Sequence, residues 1–247
     1  MATVTKDRPA VEGVAAVERA LELLTAFRPG DEALGLVALS ERTGLIKSTI
    51  LRLAVSLERF NLLVRMPDGR YQLGSEVIRL NSIYQGAIDL ERHIQPVLAK
   101  LAVETQETAT FYVRHGEHER MCLFRVNSPS VLRLDVQPGQ SRPMDGAASA
   151  QLLRLFEHWP DVKPAIPDMP LYTSGATTPH VASMSVPVLG HGDALVGALS
   201  LAGPSSRLTE ERAVSVSLKL LQAGLALSRS LGGNADPVFR VPIAKLS

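Results

Sequence analysis

Between residues 36 and 73 the apolar positions change their period twice, and the order of the changes predicts helix, turn, helix and hairpin. Leu36, Ala38 and Leu39 supply the inner side of a short helix, with Glu41 and Arg42 outward, and Thr43-Gly44 breaks it. From Lys47 to Phe60, Ile50, Leu53, Ala54, Leu57 and Phe60 recur at helical spacing and form one apolar stripe. At about 100° per residue, Ser48, Arg52, Val55 and Arg59 point the other way. Hydroxyls at Ser48 and Thr49 suit the cap of this second helix, whose free amides favour a phosphate. Leu62–Arg65 and Arg70–Leu73 then read as short strands around Met66-Pro67-Asp68-Gly69, a turn by its fixed φ, side-chain acceptor and free φ. Upstream, Val14, Val17, Leu21 and Leu24 set a further amphipathic helix, ended by Arg28-Pro29-Gly30-Asp31. A helix with a buried stripe, an outward Ser/Arg face and a Gly turn before it has the geometry of a major-groove reader.

Beyond the hairpin, Val77, Leu80, Tyr84 and Ala87 keep helical spacing, which predicts a linker helix over 76–89. Leu90, Ile94, Val97 and Leu101 begin another stripe; Pro96 fits only its first turn or a kink. TATFYVR and RMCLFRV read as strands. Leu132, Leu134 and Val136 alternate with Arg133 and Asp135 as a half-buried strand does. GAASAQLLRLF reads as a helix. Ala182, Met184, Val186 and Val188 alternate, as do Leu195, Gly197, Leu199 and Leu201, and Gly190–Asp193 joins the two runs as a hairpin. A long helix runs from about Thr209 to Leu231. Strands with helices at their ends give an α+β domain over 90–232. Residues 1–12 and 233–247 are read as tails, and 13–75 as the first domain, with the helix-turn-helix at about 36–55 and the wing at about 62–73.

Composition narrows the function. Apolar residues make up 45% of 247, enough for a packed core. No apolar run approaches the roughly 20 residues that cross a bilayer, and the N-terminus lacks an apolar targeting segment, so a cytoplasmic protein without membrane contact is expected. One cysteine, Cys122, excludes an internal disulfide framework and a Cys-rich zinc site. Net charge is only +1, yet from Arg42 to Gln72 six basic residues (Arg42, Lys47, Arg52, Arg59, Arg65, Arg70) face Glu58 and Asp68, a local +4. From Glu76 onward 16 basic and 16 acidic residues balance. The positive charge is local, as a phosphate-contacting surface requires.

GVAAVERALELLTAF, LSERTGLIKSTILRL and LERFNLLVRMPDGRYQLG together resemble the N-terminal pattern of the IclR family of bacterial transcriptional regulators. DLERHIQPVLAKLAVETQET, FRVNSPSVLRLDVQPGQSRPMDGAASAQLL and VGALSLAGPSSRLTEER resemble that family's ligand-sensing domain. The resemblance runs from about residue 13 to 231. It implies a winged helix-turn-helix domain joined by a linker helix to a GAF-like domain with a small-molecule cavity on one sheet face. It also implies a homodimer or a tetramer. An organic-acid-like effector is expected on Asp145, Gly146, Ala148, Ser149, Ser183 and Ser200, with the amides at the helix start and the strand hydroxyls as donors. For each serine, an inward hydroxyl bonded to a neighbouring backbone competes with the ligand role. The chain departs from the family pattern in a short, Pro-rich passage over 158–180, and at Asp145 and Ala150, where the family has His and Gly.

Enzyme chemistry finds little support. The six histidines are scattered, without a His-Glu-x-x-His pair, and His115-Gly-Glu-His118 falls in a strand–strand turn. There is no Gly-x-Ser-x-Gly elbow, and Gly190-x-Gly192 opens a hairpin instead of a helix. Aromatics at 4% argue against base-stacking single-strand binders. The reading is a regulator without catalytic residues, metal or cofactor, bound to a pseudo-palindromic operator in double-stranded DNA. Arg52 is expected on a base edge, Lys47, Ser48, Thr49, Arg65 and Arg70 on phosphates, and Arg59 on the same outward face. The alternatives are a ligand-blind regulator, and a small-molecule sensor or enzyme whose winged helix makes protein contacts.

Overall fold

The computed structural model describes residues 13–235 apart from 29, 89, 135, 163 and 164, with the backbone alone for 84–88. The expected tail at 1–12, the part 236–247 of that expected at 233–247, and the side chains of Tyr84 and Ala87 lie outside the described residues; Ala235, expected in the tail, is buried in the core of the second unit. The chain forms two compact units that divide between Ala87 and Ile88.

In the first unit, helices α1 (Ala15–Thr25), α2 (Leu36–Thr43) and α3 (Lys47–Arg59) precede the hairpin β1 (Leu63–Arg65) and β2 (Tyr71–Leu73). Helix α4 (Glu76–Ile88) follows. Leu23, Leu34, Leu39, Ile50, Ala54, Leu57, Leu63 and Tyr71 make its core. Leu34 exchanges both backbone hydrogen bonds with Tyr71 at 2.8 Å, so the segment before α2 is stitched to the wing.

Gly44 ends α2 in the left-handed region (φ +71°), where a side chain would be strained, and its amide closes on the Ser40 carbonyl. Two expected stripes are packed only in part. On α1 the packed residues are Leu23 with Ala20 and Leu24, while Val14, Val17 and Leu21 are 66, 55 and 54% exposed. A run of Ala and Leu on a short helix offers more than one apolar arc, and contact with α2 and α3 selects among them. On α3 the stripe stops one turn early, and Phe60 is 70% exposed. The helix closes there: Asn61 takes φ +55°, its amide donates to the Glu58 carbonyl, and the Leu62 amide donates to the Leu57 carbonyl. That reversal sends Leu62 and Leu63 to the core in place of Phe60.

In the second unit, α5 (Leu90–Thr105) leads into β3 (Thr108–His115), β4 (Glu119–Val126) and β5 (Ser141–Pro143). Then come α6 (Ala148–Leu155), β6 (Leu171–Ser174), β7 (Val181–Leu189), β8 (Leu195–Pro204) and α7 (Glu210–Ser230). The described strands form one antiparallel sheet in the order β5-β4-β3-β8-β7-β6. Pro96 sits well inside α5, past the expected first turn. Leu132, Leu134 and Val136 do not form a strand: Val131 and Leu132 are exposed, while Val136 is in the core with Leu134 half-buried against it. The Pro-rich passage instead contributes β6, whose pairing with β7 no periodicity announced.

Strand alternation gives the sheet two faces. Ala109 and Phe111 of β3, Met184 of β7, and Leu199 and Leu201 of β8 share one face through cross-strand pairing, within the core that α5 and α7 complete. Thr110, Tyr112, Ser183, Ser200 and Ala202 share the other. Glu107, wholly buried at the start of β3, is held by a fork from Arg207, with Nε and Nη2 each 2.7 Å from a carboxylate oxygen.

Candidate nucleic-acid interface and effector cavity

Helix α3 presents Lys47, Ser48, Arg52, Val55 and Arg59 outward, opposite buried Ile50, Ala54 and Leu57; Thr49 is half-buried. Neither Ser48 nor Thr49 caps the helix: the N-cap is Ile46, without a side-chain bond. The amides of Thr49 and Ile50 return to the Ile46 carbonyl. Those of Lys47 and Ser48, the first of the helix, have no intrahelical acceptor and face an anion's approach.

The six basic residues of 42–72 are not equivalent. Arg42 grips the Asp31 carboxylate through both Nη1 and Nη2 (Nη2 at 3.1 Å), and Nη1 also donates to the Ala26 carbonyl at 2.9 Å. It is a brace between α2 and the turn after α1, contrary to its expected outward place. Arg42's hydrogen bond and the Arg28 amide hold Asp31 below the usual carboxylate range. At the wing tip, Asp68 accepts from the Arg70 amide at 3.0 Å and from Arg70 Nε at 2.7 Å. Both bonds lower its pKa. Among the described residues Lys47, Arg52, Arg59 and Arg65 make no ion pair, so these four carry the uncompensated charge.

In the second unit a small cavity of about 40 Å³ opens on the polar sheet face, beneath the start of α6. Ser149, Ser183 and Ser200 line it; Asp145, Gly146 and Ala148 do not. Of the expected donors, those of Ala148, Ser183 and Ser200 are already engaged. Asp145 accepts from the Ala147 amide at 3.0 Å, and the Ala148 amide meets Thr173 Oγ1 at 3.2 Å and Ser183 Oγ at 3.4 Å. Thr173 and Ser183 bond each other at 3.0 Å, as do Ser185 and Ser200 at 2.7 Å. Gly146 lies under the Ala176 carbonyl, which a Cβ there would meet at 3.3 Å. It lets the exposed 175–178 loop settle against the helix start.

Charged groups that the pattern did not single out also line the cavity. Arg120, 4% exposed, donates through Nη1 to Asp145 at 2.8 Å and to the Pro143 carbonyl, and its guanidinium stands 5.5 Å over the Tyr112 ring. Arg142, its cross-strand partner, lines the cavity beside it. Burial raises Asp145, but the Arg120 bond, the Ala147 amide and the charges of both arginines together hold it below the usual range. Burial lifts the Tyr112 phenol to about 12 and the Cys122 thiol to about 12, so both stay neutral at ordinary pH. A charged residue in a strand ordinarily reads as solvated, which is why Arg120 on β4 and Arg142 on the edge strand β5 carry no signal in the sequence. Among the described residues no group of three or more His, Cys, Asp or Glu is placed to hold a metal.

Residues 16–67 match the family model of the IclR helix-turn-helix domain. Over nearly the whole chain the protein is similar to the HTH-type transcriptional regulator KipR of Bacillus subtilis, at 23% identity covering 87% of this chain and 96% of that protein. It is likewise similar to the HTH-type transcriptional regulator XynR of Escherichia coli, at 26% identity covering 89% and 98%. Residues 16–67 are thus similar to an IclR helix-turn-helix domain, and most of the chain is similar to HTH-type transcriptional regulators. Its fold agrees with that of an IclR transcriptional regulator from Alicyclobacillus acidocaldarius (TM-score 0.70, 21% identity, 90% of this chain and 100% of that one). An IclR homolog from Microbacterium hydrocarbonoxydans, solved with 4-hydroxybenzoate, superposes with TM-score 0.70 at 18% identity over 88% of this chain and 99% of that one. The matched helix-turn-helix is α2–α3 here, and the likeness of fold extends over the sheet of the second unit.

Proposed function

We propose that this protein is an IclR-type regulator that reads double-stranded DNA with α3 in the major groove and β1–β2 at the adjoining backbone, under control of a small organic acid bound in the second unit. One observation carries the reading: α3 anchors Ile50, Ala54 and Leu57 in the core and leaves Arg52 outward without an ion pair among the described residues. Arg52 is assigned to a base edge, since a planar fork of donors matches guanine. Lys47, Ser48, Thr49, Arg59 and Arg65 are assigned to the backbone, with the free α3 amides. Two subunits on a pseudo-palindrome fit the exposed apolar row Val14, Val17 and Leu21 of α1, a surface that a second copy would cover. The polar cavity and the 4-hydroxybenzoate held by the Microbacterium homolog support the effector reading. Among the described residues no helix is long and apolar enough to cross a membrane.

The test is Arg52→Ala, with fragments selected from random DNA as the operator. Operator affinity should fall by about 1–3 kcal/mol and preference relax at one base pair per half-site, with a much smaller loss on random DNA. Equal losses on both would move Arg52 to the backbone set and leave α3 without a reader.

A further inference from the structure

Helix α3 keeps two apolar side chains on the side turned away from its core. Val55 is 51% exposed and Leu51 38%. Four residues apart, they adjoin on the helix surface, and Lys47 and Arg59 continue the same row at either end. Arg52, three residues before Val55, stands beside it. At about 100° per residue Val55 lies within about 60° of Ser48, Arg52 and Arg59, with Leu51 at the flank. Lys47, Arg52 and Arg59 make no ion pair among the described residues, and the helix's one acid, Glu58, is half-buried. An isolated exposed valine needs no explanation. This one is bracketed by free cations, on the surface that a polyanion is drawn to.

We propose that Val55, with Leu51 beside it, reads the 5-methyl group of a thymine close to the guanine taken by Arg52, which rests on α3 lying in the major groove and adds a second determinant of the operator. On the major-groove edges of the bases the thymine methyl is the one apolar group that projects; the rest of the code is hydrogen-bond donors and acceptors. An aliphatic side chain held against cytosine N4 or adenine N6 would strip it of water without supplying an acceptor, so the same contact disfavours those bases. A phosphate gives such a side chain no partner. Lys47 and Arg59, at the ends of the row, reach the backbone, which leaves the apolar pair over the bases between them. Arg52 and Val55 are separated by about 4.5 Å along the helix axis. Base pairs are spaced by about 3.4 Å, so the thymine falls one or two base pairs from the guanine.

The experiment replaces thymines one at a time by deoxyuridine in the operator selected from random DNA, and measures binding of the full-length protein by fluorescence anisotropy. Uracil keeps every hydrogen-bonding group of thymine and lacks only the methyl. At one position per half-site, within two base pairs of the guanine that Arg52 prefers, uracil should weaken binding about fourfold, the worth of one buried methyl group. With a G·C pair placed there, 5-methylcytosine should bind better than cytosine by a similar factor. Val55→Ala should remove most of the uracil penalty, and Val55→Thr, which keeps one methyl, should retain part of it. A melting curve confirms that each variant is folded. Uracil tolerated at every position, a penalty that Val55→Ala leaves intact, or a selected half-site with no thymine near the guanine overturns the methyl contact. A base preference that relaxes in Arg52→Ala on the same fragments shows that the reading by α3 stands without it. Failure of the protein to select any sequence removes both.

Discussion

Asp68→Asn isolates the wing's part in DNA binding with little disturbance of the turn. Asp68 does two things at the hairpin tip: Oδ1 accepts from the Arg70 amide at 3.0 Å, and Oδ2 accepts from Arg70 Nε at 2.7 Å. Asparagine keeps the first acceptor and replaces the second with a donor, so the turn persists while the guanidinium is released. If the wing lies along the backbone, a freed Arg70 adds one phosphate contact per subunit. Each contact steepens the slope of log affinity against log salt by about 0.9. For two subunits the change is about 1.8, so a fourfold rise in salt should weaken the variant roughly tenfold more than the parent. Fluorescence anisotropy on the selected operator from about 50 to 200 mM salt measures this, with Arg70→Ala and the double variant completing the cycle. Arg70→Ala by itself should barely move the slope, since Asp68 already neutralises that charge. An unchanged slope in Asp68→Asn, or the same change with Arg70 absent, would refute the wing contact.

Further outcomes follow from the two cores and their ion pairs. Ile50→Ala, at a fully buried position, should destabilise the first unit by about 2–5 kcal/mol in denaturant unfolding, whereas Phe60→Ala should change it by less than about 0.5 kcal/mol; comparable losses would mean that Phe60 packs after all. Asp31 has a folded pKa below its ordinary value, so the stability it contributes is full at neutral pH and is lost as pH falls from about 4 through the lowered value. Asp31→Asn should lower stability at pH 7 and flatten the acid limb of the stability curve, and an unaltered limb counts against the Arg42 brace. Glu107→Gln leaves Arg207 half-paired on a buried partner and should cost about 2–4 kcal/mol by calorimetry of the second unit. A loss under about 1 kcal/mol would show that water replaces the carboxylate.

Local rules determined the reading head. Gly44 needs positive φ, Pro67-Asp68-Gly69 needs to turn, and Ile50, Ala54 and Leu57 recur on one helical face, so helix, turn, helix and wing follow from neighbours along the chain. The alternating runs 182–188 and 195–201 likewise identified β7 and β8, because successive side chains of a strand fall on opposite faces. What the sequence by itself could not decide was competition. Which arc of α1 packs, where α3 lets go of Phe60, and whether Arg42 points to solvent or to Asp31 depend on partners that only folding brings near. The cavity shows the same division. Its serines were reached through the family resemblance, but Arg120, Arg142, Thr110 and Thr173 come from strands whose pairing is long-range or too short to carry a period. Periodicity reports which side of an element is buried; only the tertiary structure decides what lies across from it, and that sets which charges are cancelled and which remain to meet a ligand.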